Sequence, residues 1–180
     1  MRIGKDFSKR MRKVWKNSVD EETINLFKTA IQTAKSEEEA ELEFVRLMDK
    51  LLEKEQRLSF WERNGGCIGG KRNKEAKAFA LENADKSLAE KIQLLNNTHY
   101  LSNVVLNEDG IISSEIACHC TTLRAHKFVA EPSLYGCAAG ASVYNYEIAL
   151  GTKLKLKSYG EAPNSTESRR PCVFTFVVAD

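Results

Sequence analysis

Along the first half of the chain apolar residues return every third or fourth position, the spacing of one helix face, whereas beyond Tyr100 they alternate as in strands. Ile24, Phe27, Ile31 and Ala34 predict one helix. Ser36 followed by Glu39 reads as a capping box, in which each side chain satisfies a backbone N–H that the first turn leaves without a partner. Phe44, Leu47, Met48 and Leu51 form the apolar stripe of the helix it opens. A short helix is expected around Glu75 to Leu81. Ser87 and Glu90 repeat the capping pattern, and Leu88, Ile92 and Leu95 are expected to face inward from the helix that follows.

The strand pattern begins with an apolar run from Tyr100 to Leu106, a turn at Asn107-Glu108-Asp109-Gly110 and a return from Ile111 to Cys118. On the return, Ile112, Ser114, Ile116 and Cys118 share a face. Pro132-Ser133 starts a helix that Gly151 stops. Leu154, Leu156 and Ser158 then alternate with Lys153, Lys155 and Lys157, as in a half-buried strand with a basic outer face, and Cys172, Phe174 and Phe176 line one side of the last strand. The fold class is therefore α+β: N-terminal helices, then a β-hairpin, a helix and two further strands in an antiparallel sheet. The expected division is a helical region over 1–59 and an α+β unit over 60–180, packed together as one compact unit.

At 180 residues and 42% hydrophobic, the chain is long enough to bury a core without disulfide staples. Lys and Arg number 27 against 25 Asp and Glu, and a net charge of +2 makes no case for a nucleic-acid partner. Arg2, Lys5, Lys9, Arg10, Arg12, Lys13 and Lys16 face a single Asp6, while Glu37 to Glu43 is acidic; these read as two solvated helix faces of opposite sign. No run approaches the roughly 18 to 20 apolar residues that span a bilayer. With no signal-like apolar stretch at the N-terminus and an odd number of cysteines, the expectation is a reducing, cytoplasmic setting and no membrane partner.

Gly65-Gly66-Cys67-Ile68-Gly69-Gly70-Lys71 has the glycine and lysine spacing of a phosphate-binding loop. Two requirements fail. Arg72 stands where a Ser or Thr hydroxyl would hold magnesium, and Trp61-Glu62-Arg63-Asn64 is not a buried strand. What remains is Cys67 between two glycine pairs, either free to be set against another element or an incidental thiol in a helix-to-helix connection.

Cys118-His119-Cys120 offers two thiols on one face of an extended segment, with His119 on the other. Cys137 falls in the first turns of the helix from Ser133, where the helix N-terminus favours the thiolate, on a stripe with Ala141, Tyr144 and Ile148 that is expected to face the sheet. Joined by Cys67, these make a four-thiolate zinc site the simplest assembly; an iron-sulfur cluster is the rival, though the spacings match no common cluster motif. Cys172, in register with two phenylalanines, is expected in the core. A metal-free hydrolase is the alternative, with Cys137 as nucleophile and His126 or His119 as base. A third reading is a sensor or interaction module whose helical half supplies a homodimer or partner surface. His99 is read as a surface residue.

Cys118-His119-Cys120, Tyr135-Gly136-Cys137-Ala138-Ala139-Gly140, Glu147-Ile148-Ala149-Leu150-Gly151-Thr152-Lys153 and Cys172-Val173-Phe174 together resemble the pattern of L-2-amino-thiazoline-4-carboxylic acid hydrolase-like proteins and the related 4-vinyl-reductase-type small-molecule-binding domains. The likeness covers roughly residues 60 to 180. In that pattern Gly-Asp commonly precedes the terminal Cys-x-Phe; here Arg170-Pro171 stands there. The resemblance implies an α+β domain with a small-molecule pocket beside the central helix and a bound metal, zinc. Trp61, Gly140 and Tyr144 are the expected pocket residues, Tyr146 a further one, and hydrolysis of a small heterocycle or amide the reaction such a site would serve.

Overall fold

The structure, a computed structural model, describes residues 11, 13–15, 17–64, 70–117, 132–161 and 171–179. Its elements run α1 (Glu21–Thr33), α2 (Glu37–Leu51), α3 (Lys54–Asn64), α4 (Gly70–Glu82), α5 (Leu88–Leu95), β1 (Val104–Leu106), β2 (Ile112–Ala117), α6 (Pro132–Leu150), β3 (Leu154–Glu161) and β4 (Pro171–Val178). The strands form one sheet in the order β1-β2-β4-β3 with every pairing antiparallel, so the fold is α+β as the patterning predicts.

Side-chain caps set the helix starts. Asp20 Oδ1 accepts the Thr23 N–H at 2.7 Å ahead of α1, and Ser87 and Glu90 form a complete capping box at α5. At α2, Ser36 Oγ accepts from the Glu39 N–H, but Glu39 Oε2 reaches past the cap to the Lys35 N–H at 2.6 Å. The stripe of α2 also ends differently: Phe44, Val45 and Met48 are buried, and Leu52, extended just past the helix, turns inward while Leu51 is partly exposed. Helix α3 stands where a phosphate-binding loop requires a strand, so the glycine-rich segment lies between two helices. The helix after it, α4, already starts at Gly70 rather than near Glu75.

Strand β1 is only 3 residues long, shorter than the apolar run from Tyr100. The Glu75 carboxylate takes the N–H groups of His99 and Tyr100 at 3.0 and 2.7 Å, and Asn103 sits in the left-handed region at φ 63°, so pairing begins at Val104. On β3 a bulge between Leu156 and Ser158 resets the alternation. Ser158 consequently lies opposite Thr175, bonded to it at 2.7 Å, and Tyr159 takes the inward register opposite Phe174. Both sheet edges are tied off by side chains: Asn96 accepts the Val104 N–H and donates to its carbonyl, and Glu62 Oε1 accepts the Leu156 N–H at 2.9 Å.

Two apolar clusters fill the interior. One joins α4, α5 and α6 to the inner face of the sheet, including Phe79, Leu95, Val143, Tyr146, Cys172, Phe174 and Phe176. The other gathers Met11, Trp15, Phe27, Phe44, Phe60 and Trp61 from the N-terminal helices, and Tyr159 packs against both. Met11 and Trp15, inside the segment read as a basic solvated face, are fully buried, and Glu41 of the acidic run is buried as well.

Strand direction gathers several element ends in one place. Strands β2 and β3 both run against β4, and α6 reverses through Gly151 (φ +68°) into β3. The end of β2 at Ala117, the start of β4 at Pro171 and the N-terminal turns of α6 therefore lie toward one end of the sheet, with Leu150, Leu154 and Val178 at the other.

Candidate functional site

A polar cluster sits inside the larger core where α4, β2 and α6 meet. Ser114 projects from β2 between Ile112 and Ile116 on the face that α6 covers, and its Oγ is 2.7 Å from the Tyr146 hydroxyl, both residues being buried. Asn145, the next residue on α6, is also fully buried; its Nδ2 donates to the Ala141 carbonyl at 2.8 Å, and its Oδ1 accepts from Asn73 Nδ2 at 3.4 Å. Arg72, one residue before Asn73, places its guanidinium carbon 5.8 Å from the centre of the Tyr146 ring, a cation–π distance. Its Nε and Nη2 are out of contact with solvent and have no hydrogen-bond partner among the described residues.

Burial pushes the Tyr146 phenol above its ordinary value, outweighing the Arg72 charge and the hydrogen bonds from Ser114 and Arg72, which pull the other way. The folded state holds this proton more tightly than an unfolded chain, whose tyrosines titrate near 10.0, so the stabilisation is complete below that pH and is lost as pH rises through it toward the folded value. Urea midpoints measured at about pH 8 and about pH 11 should fall further apart for the natural chain than for Tyr146→Phe. Equal falls would show that the buried phenol does not govern the alkaline limb.

The expected thiol site falls largely outside the described residues. Cys67, Cys118, Cys120, His119 and His126 lie outside the described residues, and so does the side chain of Cys137, whose backbone is in the second turn of α6. Among the described residues no three His, Cys, Asp or Glu side chains form a group that would hold a metal. Cys172 is buried beside Phe174 and Phe176, as its register predicts. His99 is exposed, its ring edge-on to Tyr100.

Of the expected pocket residues, Trp61 is fully buried against Phe44 and Phe60, its Nε1 without a partner among the described residues, and Gly140 is buried within α6. Tyr144 is 41% exposed, which corrects the expectation that the stripe through Ala141 and Tyr144 faces the sheet. The inward tyrosine is Tyr146. The physical reason is that α6 is covered by α3, α4 and the sheet together, so nearly every residue from Ala139 to Leu150 is buried and no single stripe defines its inner side. No sequence motif marks Arg72, Ser114 or Asn145 as functional, although a serine in an apolar strand face and an asparagine in an apolar helix are the sort of interruptions that mark a polar interior.

No described helix is long and apolar enough to cross a membrane. No family model, curated protein or solved structure matches the chain.

Proposed function

We propose that this chain is a zinc-containing small-molecule-binding protein whose metal ligands are Cys67, Cys118, Cys120 and Cys137. The observation that supports the reading is the convergence of element ends. Tyr146 lies beside Ser114, and from that contact the nine residues back to Cys137 cover about 14 Å of helix, while the three forward to Ala117 cover about 10 Å of strand toward the same end. The Cys137 backbone is thus nearly level with the point where the chain leaves β2 for Cys118 and Cys120. Helix α4 begins beside Asn145 and hands the chain through 83–87 to α5, whose Lys91 bonds the Leu150 carbonyl. Its Asn73, six residues after Cys67, therefore meets α6 at Asn145, about 12 Å along the helix from the Cys137 backbone.

The donor chemistry agrees, since soft thiolates select zinc or iron-sulfur clusters over hard cations. Zinc held by all four thiolates would close its coordination sphere and stabilise the fold; three would leave one position for water, the arrangement that hydrolysis of a small heterocycle or amide uses.

Elemental analysis of protein purified without chelators should find about one zinc per chain, and Cys118→Ser should lower it sharply. Replacing each cysteine by serine in turn separates ligands, which release metal, from Cys172, which should keep it. Metal-free protein whose Cys137 is alkylated rapidly and selectively would overturn the zinc reading in favour of a cysteine nucleophile.

A further inference from the structure

We propose that the Nε and Nη2 edge of Arg72 is the docking point for an oxyanion group, carboxylate or phosphate, carried by a small-molecule ligand. This goes beyond the zinc reading and does not depend on it.

The geometry of the unpaired atoms carries the inference. Of the three guanidinium nitrogens, Nε and Nη2 direct their hydrogens to the same side of the group, and that side is the fork that meets two oxygens of a carboxylate or phosphate in parallel hydrogen bonds. These are the two nitrogens that are shut off from solvent and unpartnered among the described residues. A charged donor in that condition is costly: leaving it without an acceptor forfeits hydration with nothing in return, and buried polar groups in folded proteins nearly always find one.

The neighbours do not supply it. Neither hydroxyl of the Ser114–Tyr146 pair is bonded to these two nitrogens, Asn145 spends its amide on Ala141 and Asn73, and the Tyr146 ring meets the guanidinium with its face. Helix α4 delivers Arg72 and Asn73 to this point, where the Tyr146 ring, itself part of the larger apolar cluster, lies beneath the guanidinium. The result is a cationic edge set against a largely apolar interior, the combination that orients a small ligand by its one charged group.

The test uses the full chain labelled with nitrogen-15. The Arg72 Nε–H resonance is followed while acetate, benzoate, phosphate and sulfate are added in turn, with chloride at matched ionic strength as control. A saturable shift with acetate and benzoate assigns a carboxylate, and one with phosphate or sulfate instead assigns a tetrahedral oxyanion; either supports the site. Arg72→Lys, which keeps the charge but loses the fork, should bind about tenfold more weakly, and Arg72→Gln should lose binding. A resonance that moves no more than it does with chloride, or binding that survives Arg72→Gln, would overturn the proposal. Should Arg72→Gln fail to fold, the titration of the natural chain decides alone. Zinc content measured on the same sample keeps this outcome separate from that of the metal.

Discussion

Trp15→Ala should destabilise the protein by about 3–5 kcal/mol, the range for removing a buried aromatic side chain. Trp15 is fully buried, with its ring centre 4.9 Å from Phe60, 5.3 Å from Phe27 and 6.2 Å from Phe44. It is therefore the ring through which the segment before α1 is joined to α1, α2 and α3. Truncation removes those contacts and opens a cavity lined by three phenylalanines that cannot collapse without moving their helices. Its Nε1 also donates to the Gln56 carbonyl at 3.0 Å, but that carbonyl accepts from Ser59 Oγ as well, so the lost hydrogen bond adds little. For a chain of this size the loss corresponds to a fall of about 6 to 20 °C in Tm. Trp15→Phe keeps an aromatic filler and should lose much less. If Trp15→Ala unfolds within about 2 °C of the natural chain, the N-terminal segment is not an integral part of this core.

Ser114→Ala should cost about 1–3 kcal/mol even though it removes a single oxygen, because it leaves the buried phenol of Tyr146 without its partner at 2.7 Å. Tyr146→Phe should cost a similar amount by stranding the serine hydroxyl. Removing both partners takes away the unmet groups together, so the double variant should be less destabilised than the sum of the two by about 1 kcal/mol or more. Strictly additive losses in urea unfolding would mean that the two hydroxyls do not depend on each other. The cycle also separates the roles of the neighbours: Ser114→Ala leaves Arg72 in place, so oxyanion binding is expected to persist in it.

Much of the architecture was legible because local signals and burial agree. Ser87 with Glu90 specifies the start of α5, Gly151 the end of α6, and the alternation of Cys172, Phe174 and Phe176 the inner face of β4. In each case the physics is local: a side chain reaching the nearest backbone N–H, a residue type that adopts positive φ, or a two-residue period. Where the partner is distant, the pattern misleads. The strand β1 is cut short by Glu75, which is 24 residues from His99, and Ser158 leaves the core register because of a bulge against β4. Trp15, placed in a basic run, is drawn inside by phenylalanines of three separate helices.

The candidate sites divide the same way. Patterning alone was enough for an α+β chain with an antiparallel sheet, and residue type nominated Cys67, Cys118, Cys120 and Cys137 as candidate ligands, since thiols are soft donors wherever they stand. Only the tertiary structure decided that Tyr146 and not Tyr144 turns inward, because α6 is apolar on nearly every side and its facing depends on what packs around it. Folding likewise carried Arg72 from a failed phosphate-loop position to the margin of the core, over the Tyr146 ring, with Nε and Nη2 shut off from solvent. An arginine's pattern in sequence is that of a solvated residue; which of its donors lose their water is decided by what folds over them.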